Sequence, residues 1–457
     1  MPNKTHRRDF LKATAQTLAA APFLSALSNN LATAQTPPSK VTLNIRDFGA
    51  TGDAATKDTL AIQQALDRCT LLGGGEVFVP PGSYLTGALQ LRSNTTLRID
   101  EQASLLGSPD LADYQLTQVR WEGRFVKGYL AFLSATGAEN IGIAGKGKIV
   151  GNRAIKGRLD SKTRFRNPAL LEFINCKNIR IQDCFTDQND MWSIHPLFCD
   201  NVTFQNVAVH SGADGIDIDS CSNVLIDHCD FVTRDDCISL KSGRGFEGNA
   251  IARPTENVRI ANCTFNDANF ACIGIGSETS GGIRGVHVDP CKCLAAKTHA
   301  IYIKSRPGRG AFIEDITVTD LDVQNCGQGF LRFNILNSGI QDPEPIPGDQ
   351  GIPTIRNFRF SNIRVTDVPK LVDGSAIHPH KPLDGFTLEN VSGTCAKGIF
   401  LANIQHAKLH NITVTGYTGA LLNTSNVTGK GLAGAVPLDP PKLPDPIPAP
   451  AAPYVLK

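Results

Sequence analysis

An internal repeat constrains this chain more than any other feature of its sequence. Segments reading CKNIRIQDC, CDNVTFQNV and CSNVLIDHC place an asparagine at positions 178, 201 and 223, and a later copy carries Asn257. Within each copy apolar residues alternate with polar ones and a turn residue follows. A unit this short cannot bury its apolar side alone, so neighbouring units must stack. Copies rich in Val, Ile and Phe, with Asn and Gly at the corners, predict a parallel β-helix whose coils lie about 4.8 Å apart.

Fainter copies of the repeat extend towards both ends of the chain. We therefore expect one β-helix from about residue 42 to about residue 425, with no second globular domain. A stack of coils leaves an open core at its end, which needs a cap. Helical spacing of five apolar residues predicts a short capping helix; these residues are Leu60, Ile62, Ala65, Leu66 and Cys69. Residues 435–457 are too rich in proline to pair as a strand, so we expect a tail or a docked extended arm.

The first 34 residues have the pattern of a twin-arginine signal peptide. Arg7 and Arg8 precede a moderately apolar stretch, and Ala32-Thr33-Ala34 offers a small-residue cleavage site. The apolar stretch is too short and too polar for a stable membrane span. We expect the protein to fold before export and to reach the periplasm or the extracellular space.

The cysteines and the net charge limit the possible partners. Thirteen cysteines form no paired CxxC pattern, and the net charge is only +2. Cys184, Cys229 and Cys263 share one repeat position, which favours an interior column of reduced thiols over metal or disulfide roles. Without a broad basic surface we expect no nucleic-acid partner, and we expect a monomer.

Three carboxylates occupy positions related by the repeat. Asp214 and Asp236 are 22 residues apart, one coil period, so stacking places Asp214 beside the Asp235-Asp236 pair. Crowded carboxylates raise the pKa of at least one member, which suits acid–base chemistry. The alternative is that these acidic turns only solvate the corners of the coils. Asp217 and Asp219 share a strand face, and we interpret them as solvated or corner-bonding residues.

Several segments carry a resemblance to a known family. The sequences NIRDFGATGD, DGIDIDSCSNV, RDDCISLKSGRG and IGIGSETSGG resemble glycoside hydrolase family 28, the polygalacturonase-like enzymes, over most of the chain. The resemblance implies a right-handed β-helix and inverting hydrolysis of galacturonosyl or related bonds in an acidic, pectin-like plant polysaccharide, without a metal or other cofactor. It also implies that Asp235 is the general acid and that Asp214 and Asp236 activate water.

The same resemblance suggests residues that bind substrate. Lys304 corresponds to the lysine of the family's Arg-Ile-Lys motif and would pair with a substrate carboxylate, unless it is a surface lysine on a strand edge. Lys241 is expected on the same basic wall. His195 lies in a family segment near the groove, where a structural role and a substrate-binding role are equally open.

The chain departs from the family pattern around these residues. Gly212 stands for the asparagine of Asn-Thr-Asp, Arg234 for the glycine of Gly-Asp-Asp, Ala271 for the histidine of Gly-His-Gly and Tyr302 for the arginine of Arg-Ile-Lys. Losing the bidentate guanidinium weakens recognition of a carboxylate. We expect Tyr302 and Phe270 to stack on the apolar face of a less charged sugar, as in rhamnogalacturonan or a substituted galacturonan.

Two other functional classes remain open at this point. A pectate-lyase-type β-eliminase shares the fold, and would need a Ca²⁺-binding carboxylate cluster and a base. A non-catalytic β-helix that binds glycans is also compatible with the altered motifs. The products separate the three: hydrolysis gives new reducing ends, elimination gives an unsaturated chromophore, and binding alone gives neither.

Overall fold

Successive coils pair in the register that the repeat predicts. In this computed structural model, which describes residues 41–187 and 190–456, Asp200 lies beside Ser222 and Ser222 lies beside Glu256. The strands wind as one 32-stranded parallel sheet. The predicted right-handed parallel β-helix is thereby confirmed. The predicted twin-arginine segment lies outside the described residues.

The sheet bends at two corners in each coil and so presents three faces. The first, which we call the site face, contains the strands Leu89–Gln90, Leu133–Thr136, Leu171–Ile174, Ile194–Leu197, Ile216–Asp219, Ile238–Lys241, Ile273–Ile275, His299–Lys304 and Gly329–Asn334. The second contains Val41–Asn44, Gly75–Val79, Thr95–Ile99, Glu139–Ala144, Lys177–Gln182, Asp200–Gln205, Ser222–Asp227, Thr255–Ala261 and Ile283–Val288. The third contains Asp53–Lys57, Gly82–Thr86, Ala103–Gly107, Lys148–Val150, Phe185–Asp187, Ala208–Ser211, Asp230–Thr233, Thr264–Ala268 and Cys291–Cys293.

The last coils are built from longer strands that continue round the corners. These strands are Phe312–Gln324, Thr354–Ala376, Leu383–Thr415, Leu422–Lys430 and Val436–Pro437. An antiparallel hairpin, Leu116–Trp121 with Arg124–Tyr129, projects from the coils beside the site face. Short 3₁₀ turns occupy Ile45–Phe48, Leu111–Asp113 and Gly348–Gly351.

Stacked side chains fill the interior of the coils. One column of the site face runs Ile194, Ile216, Ile238, Ile273 and Ile301 through consecutive strands. Each of these side chains is buried, and full burial of an isoleucine contributes roughly 1.5–3 kcal/mol. The core therefore fixes the register, because a slip of one residue would turn every isoleucine outwards.

The cysteines belong to this interior. Cys184, Cys229 and Cys263 are buried, and all thirteen cysteines are free buried thiols. Burial and the neighbouring thiol of Cys229 raise the pKa of Cys184 to about 12, which suppresses the reactive thiolate. These residues are packing groups of the core.

Asparagine side chains form a hydrogen-bonded ladder at one corner of the coils. Asn201 donates to the side-chain oxygen of Asn178 at 2.9 Å and accepts from Asn223 at 3.1 Å. Asn201 has φ of 58°, and Asn178 and Asn223 are also left-handed. Asparagine is one of the few non-glycine residues that adopt this conformation readily, so one residue type satisfies both the turn and the ladder.

The N-terminal end carries the predicted helix, Thr59–Leu71. Its buried side comprises Ala61, Ile62, Ala65, Leu66 and Cys69. Leu60, which we assigned to that side, is 69% exposed, so this assignment was wrong. Ala61 takes the place of Leu60 on the buried side. Ala61 and Ala65 are four residues apart and therefore lie on the same face of the helix.

The proline-rich C-terminal residues lie along the coils in an extended form. Val436–Pro437 pairs in parallel with Asn423–Thr424, so our expectation that residues 435–457 do not pair as a strand was wrong at the start of this segment. Further along, the carbonyl of Ile447 accepts from the amide of Gly348 at 3.2 Å. The Tyr454 ring lies 5.5 Å from Phe246, in the second helix, Gly245–Ile251. Among the described residues, no helix is long and apolar enough to cross a membrane.

The asparagine ladder generates a stability prediction. Asn201→Ala removes two ladder hydrogen bonds and places alanine in a left-handed turn, which costs roughly 1–2 kcal/mol from the turn alone. Asn201→Gly removes the same bonds but suits the turn. Urea unfolding should rank the free energy of unfolding as wild type, then glycine, then alanine. Equal losses for the two variants would contradict the conformational part of this explanation.

Candidate active site

Two neighbouring corners bring the three predicted carboxylates together. Asp214 follows the strand Ala208–Ser211, and Asp235 and Asp236 follow Asp230–Thr233 in the next coil. The amide of Gly215 donates to the carbonyl of Asp236 at 3.0 Å, which fixes the two corners against each other. One oxygen from each carboxylate lies within 4.8 Å of the other two. The coil period therefore gathers all three residues, as we expected.

Each of these carboxylates has its own cationic partner. The Lys241 ammonium lies 2.9 Å from Asp214. Lys304 forms an ion pair with Asp236 at 2.5 Å, and Arg158 forms one with Asp235. The geometry of three clustered oxygens would admit a cation, but the adjacent positive charges nearly neutralise the cluster. Electrostatic attraction for a divalent ion is correspondingly weak.

The environments of the carboxylates separate their pKa values. Burial raises the pKa of Asp236 to about 7, against the opposing charge of Lys304. Burial and then the charge of Asp214 raise the pKa of Asp235, while Arg158 opposes them. Burial also acts to raise the pKa of Asp214, but the Lys241 ammonium outweighs it and the net pKa falls below the usual range. One ionised carboxylate thus lies beside two that retain protons more readily, as acid–base catalysis requires.

Lys241 lies deeper than the basic wall on which we expected it. Its ammonium is held between Asp214 and Asp217 and lies 4.1 Å from the centre of the Trp192 ring. Only 5% of the residue is exposed. These contacts orient Asp214, and the side chain also lines the pocket over the carboxylates.

Asp217 and Asp219 are buried within the strand Ile216–Asp219, so our interpretation of them as solvated residues was wrong. Burial and the charge of Asp214 raise the pKa of Asp217 well above its usual range. Asp219 instead faces Arg120 at 3.5 Å. The repeat predicts the outward direction of these side chains, but the covering hairpin that removes them from water is outside the repeat.

His195 takes a buried position beneath this cover. Its Nδ1 lies 2.9 Å from Glu172, which also accepts from both terminal nitrogens of Arg166 at 2.6 and 3.0 Å. None of the three residues is more than 1% exposed. Of the two roles considered for His195, this placement matches the structural one, because a substrate has no path to the ring.

Phe270 and Tyr302 form a stacked pair next to the carboxylates. Their ring centres are 5.7 Å apart, and the Lys304 ammonium lies 5.1 Å from the Phe270 ring. Phe270 lines the pocket, whereas Tyr302 is 7% exposed and lies behind it. Phe270 is therefore positioned to face a sugar, and Tyr302 supports it from the next coil.

The pocket over the carboxylates has a volume of about 260 Å³. The hairpin turn and four separate loops complete its wall, with the residues Glu122, Arg158, Arg244, Glu278, Ser338 and Ile340. Arg158 was missed from the sequence because its loop belongs to no repeat.

Gly274 is a second residue that the motifs did not single out. It lies on the site face between Ser239 and Tyr302. A Cβ there would meet the Asp236 carboxylate at 2.4 Å and the Lys304 ammonium at 2.9 Å. Glycine is needed because the ion pair passes directly over this position. The alternation of glycine with isoleucine in IGIGS was the sequence signal that pointed to this strand.

A carboxylate-lined, solvent-open pocket on a parallel β-helix is typical of enzymes that cleave polysaccharides. The chain matches the glycosyl hydrolases family 28 over residues 69–373 and belongs to that family. It is thus a polygalacturonase-like glycoside hydrolase, and the family implies a pectin-like substrate.

The relatives are distant. A probable polygalacturonase of Vitis vinifera is 28% identical over 365 residues, which cover 76% of this chain and 73% of that protein. An exo-poly-alpha-D-galacturonosidase of Dickeya chrysanthemi is 29% identical over 400 residues, 74% of this chain and 64% of the relative. The structure of a hyperthermoactive exopolygalacturonase from Thermotoga maritima shares the fold, with a TM-score of 0.73 at 23% identity, over 83% of this chain and 93% of that one.

The crowding at Gly274 generates a prediction about activity. Gly274→Ala should displace the Asp236–Lys304 pair and lower kcat about tenfold or more, while the folded state persists. Gly142→Ala is a matched control, because a Cβ there meets the Thr96 side chain at 2.5 Å on a face remote from the site. Steady-state kinetics with circular dichroism would check both variants. Equal activity of the two would contradict the role assigned to Gly274.

Proposed function

We propose that this protein is an inverting, exo-acting hydrolase that removes terminal sugars from an acidic galacturonan-type polysaccharide. Family membership supports the reaction class, and the names of two relatives, from Dickeya and Thermotoga, include exo action on galacturonan. The observation that carries the exo assignment is a site face closed on one side of the carboxylates.

In the described part of the chain, the site face is covered towards the N-terminal coils. Glu172 and His195 point outwards from their strands but are at most 1% exposed. Arg166 lies over Glu172, and Trp192 lies 4.9 Å from the His195 ring. Trp121, from the hairpin, packs 5.0 Å from Trp192 and extends the cover. A polysaccharide cannot continue across these residues.

The face is more open towards the C-terminal coils. Arg332 and Asp373 follow Tyr302 in register and are half-buried, as is Phe400 beyond them. A chain bound in this direction places its terminal sugar against the cover and its remainder on the open coils. Cleavage beside Asp235 then releases sugars from the chain end.

Asp235 is the general acid in this proposal. Its carboxyl is the most exposed of the three and has a raised pKa, so it can protonate the leaving oxygen. Asp214 and Asp236 are held on both oxygens. Asp214 accepts from the Asp236 amide and Lys241, and Asp236 accepts from the Ala271 amide and Lys304. Carboxylates fixed in this way are suited to orienting water, as single displacement requires. One oxygen of each lies within 4.8 Å of the Asp235 carboxylate, closer than the separation of about 6.5–9.5 Å that is usual for this mechanism.

The aromatic pair favours a second candidate specificity. Phe270 stands on the pocket wall where the family motif has a small residue, and it offers an apolar platform to a sugar ring. Rhamnogalacturonan or a substituted galacturonan would use this platform. Comparing the hydrolysis rates on homogalacturonan, rhamnogalacturonan and xylogalacturonan distinguishes this specificity from one for unsubstituted galacturonan.

Removing the acid should abolish most of the rate. Asp235→Asn is expected to lower kcat by about 10²–10⁴-fold, the usual contribution of general acid catalysis, with the fold intact. Asp187→Asn is a matched control, because Asp187 also pairs with an arginine, Arg153, but neither residue lines the pocket. Near-full activity of Asp235→Asn on the best substrate would refute the acid assignment.

The product profile tests the proposed function as a whole. From the first minutes, digestion should release mono- or disaccharides with new reducing ends, while the viscosity of the polymer falls slowly. A rapid fall in viscosity would refute exo action. An unsaturated, ultraviolet-absorbing product would indicate a β-eliminase, and binding without cleavage would indicate a glycan-binding protein.

A further inference from the structure

The loop that precedes strand Leu171–Ile174 brings a positive charge to the proposed acid. The Arg158 side chain reaches over the pocket and pairs with the carboxylate of Asp235. This side chain is 39% exposed, whereas Lys241 and Lys304 are 6% and 11% exposed in their own ion pairs. All three cations line the pocket, and Arg158 is the most exposed to a bound sugar.

The backbone of Arg158 is held firmly in place. Asn167, which is buried, donates from its side chain to the carbonyls of Lys156 and Gly157 at 3.0 and 2.9 Å. The Asn167 amide also donates to the carbonyl of Arg158 at 3.0 Å, and the Gly157 amide donates to Asp190. The guanidinium is therefore delivered by a rigid loop and has freedom only in its side chain.

This ion pair opposes the chemistry assigned to Asp235. A general acid must carry a proton, but a paired guanidinium favours the ionised carboxylate. Asp214 and Asp236 face Asp235 with like charge and favour its proton, whereas Arg158 and Lys304 disfavour it. Without substrate, the Arg158 ion pair therefore makes Asp235 less protonated than its burial alone would make it.

We propose that Arg158 is a specificity-determining residue that a substrate carboxylate draws away from Asp235. The inference rests on the proposed function. A uronate bound beside Asp235 takes the guanidinium as its own partner, through the bidentate geometry that arginine offers to carboxylates. Asp235, released from the ion pair, takes up a proton from solvent.

The subsequent step balances in atoms and charge. Asp235 gives that proton to the glycosidic oxygen as the bond from the sugar carbon to this oxygen breaks. Water adds to the same carbon and loses a proton to the Asp214–Asp236 pair. A neutral sugar offers no carboxylate, so Arg158 stays on Asp235 and the acid holds its proton less readily than in the complex with a uronate. The family's Arg-Ile-Lys motif has an arginine where this chain has Tyr302. In this proposal Arg158, on a loop, supplies the guanidinium instead.

The test compares two substrates and two variants. Oligogalacturonide and its carboxyl-reduced, neutral counterpart are supplied to wild type, Arg158→Ala and Arg153→Ala, and kcat and KM are measured across pH. Arg153 lies on the same loop, is 76% exposed and pairs with Asp187 away from the pocket, so Arg153→Ala should behave as wild type. Thermal unfolding reports whether each variant is folded.

For Arg158→Ala we expect KM for the native substrate to rise about tenfold or more, the scale of a lost charged hydrogen bond. On the neutral substrate, kcat/KM should rise, and the basic limb of its pH profile should move to higher pH because Asp235 loses a cation. Equal losses on both substrates without a shift of that limb would overturn the proposal. If wild type cleaves neither substrate, the proposed function fails instead, which is a separate outcome.

Discussion

The site depends on one constraint, the parallel stacking of coils about 4.8 Å apart. Residues one period apart are forced into contact, so each position along the coil becomes a column. Inside the coils this produces ladders of isoleucine and cysteine, and at one corner it produces the asparagine ladder. At the corners beside the site face, the same constraint places Asp214 against Asp235 and Asp236.

Stacked carboxylates would be unfavourable without compensation. Taking an ion out of water costs several kcal/mol unless a partner and hydrogen bonds offset the loss. Lys241, Lys304 and Arg158 each face a different carboxylate, and these partners differ in burial. Lys241, Arg158 and a hydrogen bond with Asp217 outweigh the burial of Asp214, whereas burial and the charges of Asp235 and Asp214 outweigh Lys304 at Asp236. The acid–base asymmetry therefore arises from burial together with the uneven arrangement of charges in the cluster.

What the sequence predicts follows from its period. Spacings between Asn178, Asn201 and Asn223 are sufficient for the fold, and the spacing of Asp214 and Asp236 is sufficient for the cluster. The repeat contains no information about loops that leave the coil and return over the face. For this reason the burial of Asp217, the deep position of Lys241 and the role of Arg158 required the structure. The motif departures at Ala271 and Tyr302 were visible in sequence, but the contact of Phe270 with Tyr302 was not.

Proton NMR of the anomeric signals tests most directly whether the three carboxylates hydrolyse the glycosidic bond by single displacement. The signals are recorded during the first minutes of hydrolysis, before mutarotation mixes the products. Single displacement predicts that an α-linked galacturonan releases the β-anomer first, with the α-anomer appearing only later. Initial release of the α-anomer would mean that one carboxylate forms a covalent intermediate, and would contradict the water-activating roles of Asp214 and Asp236.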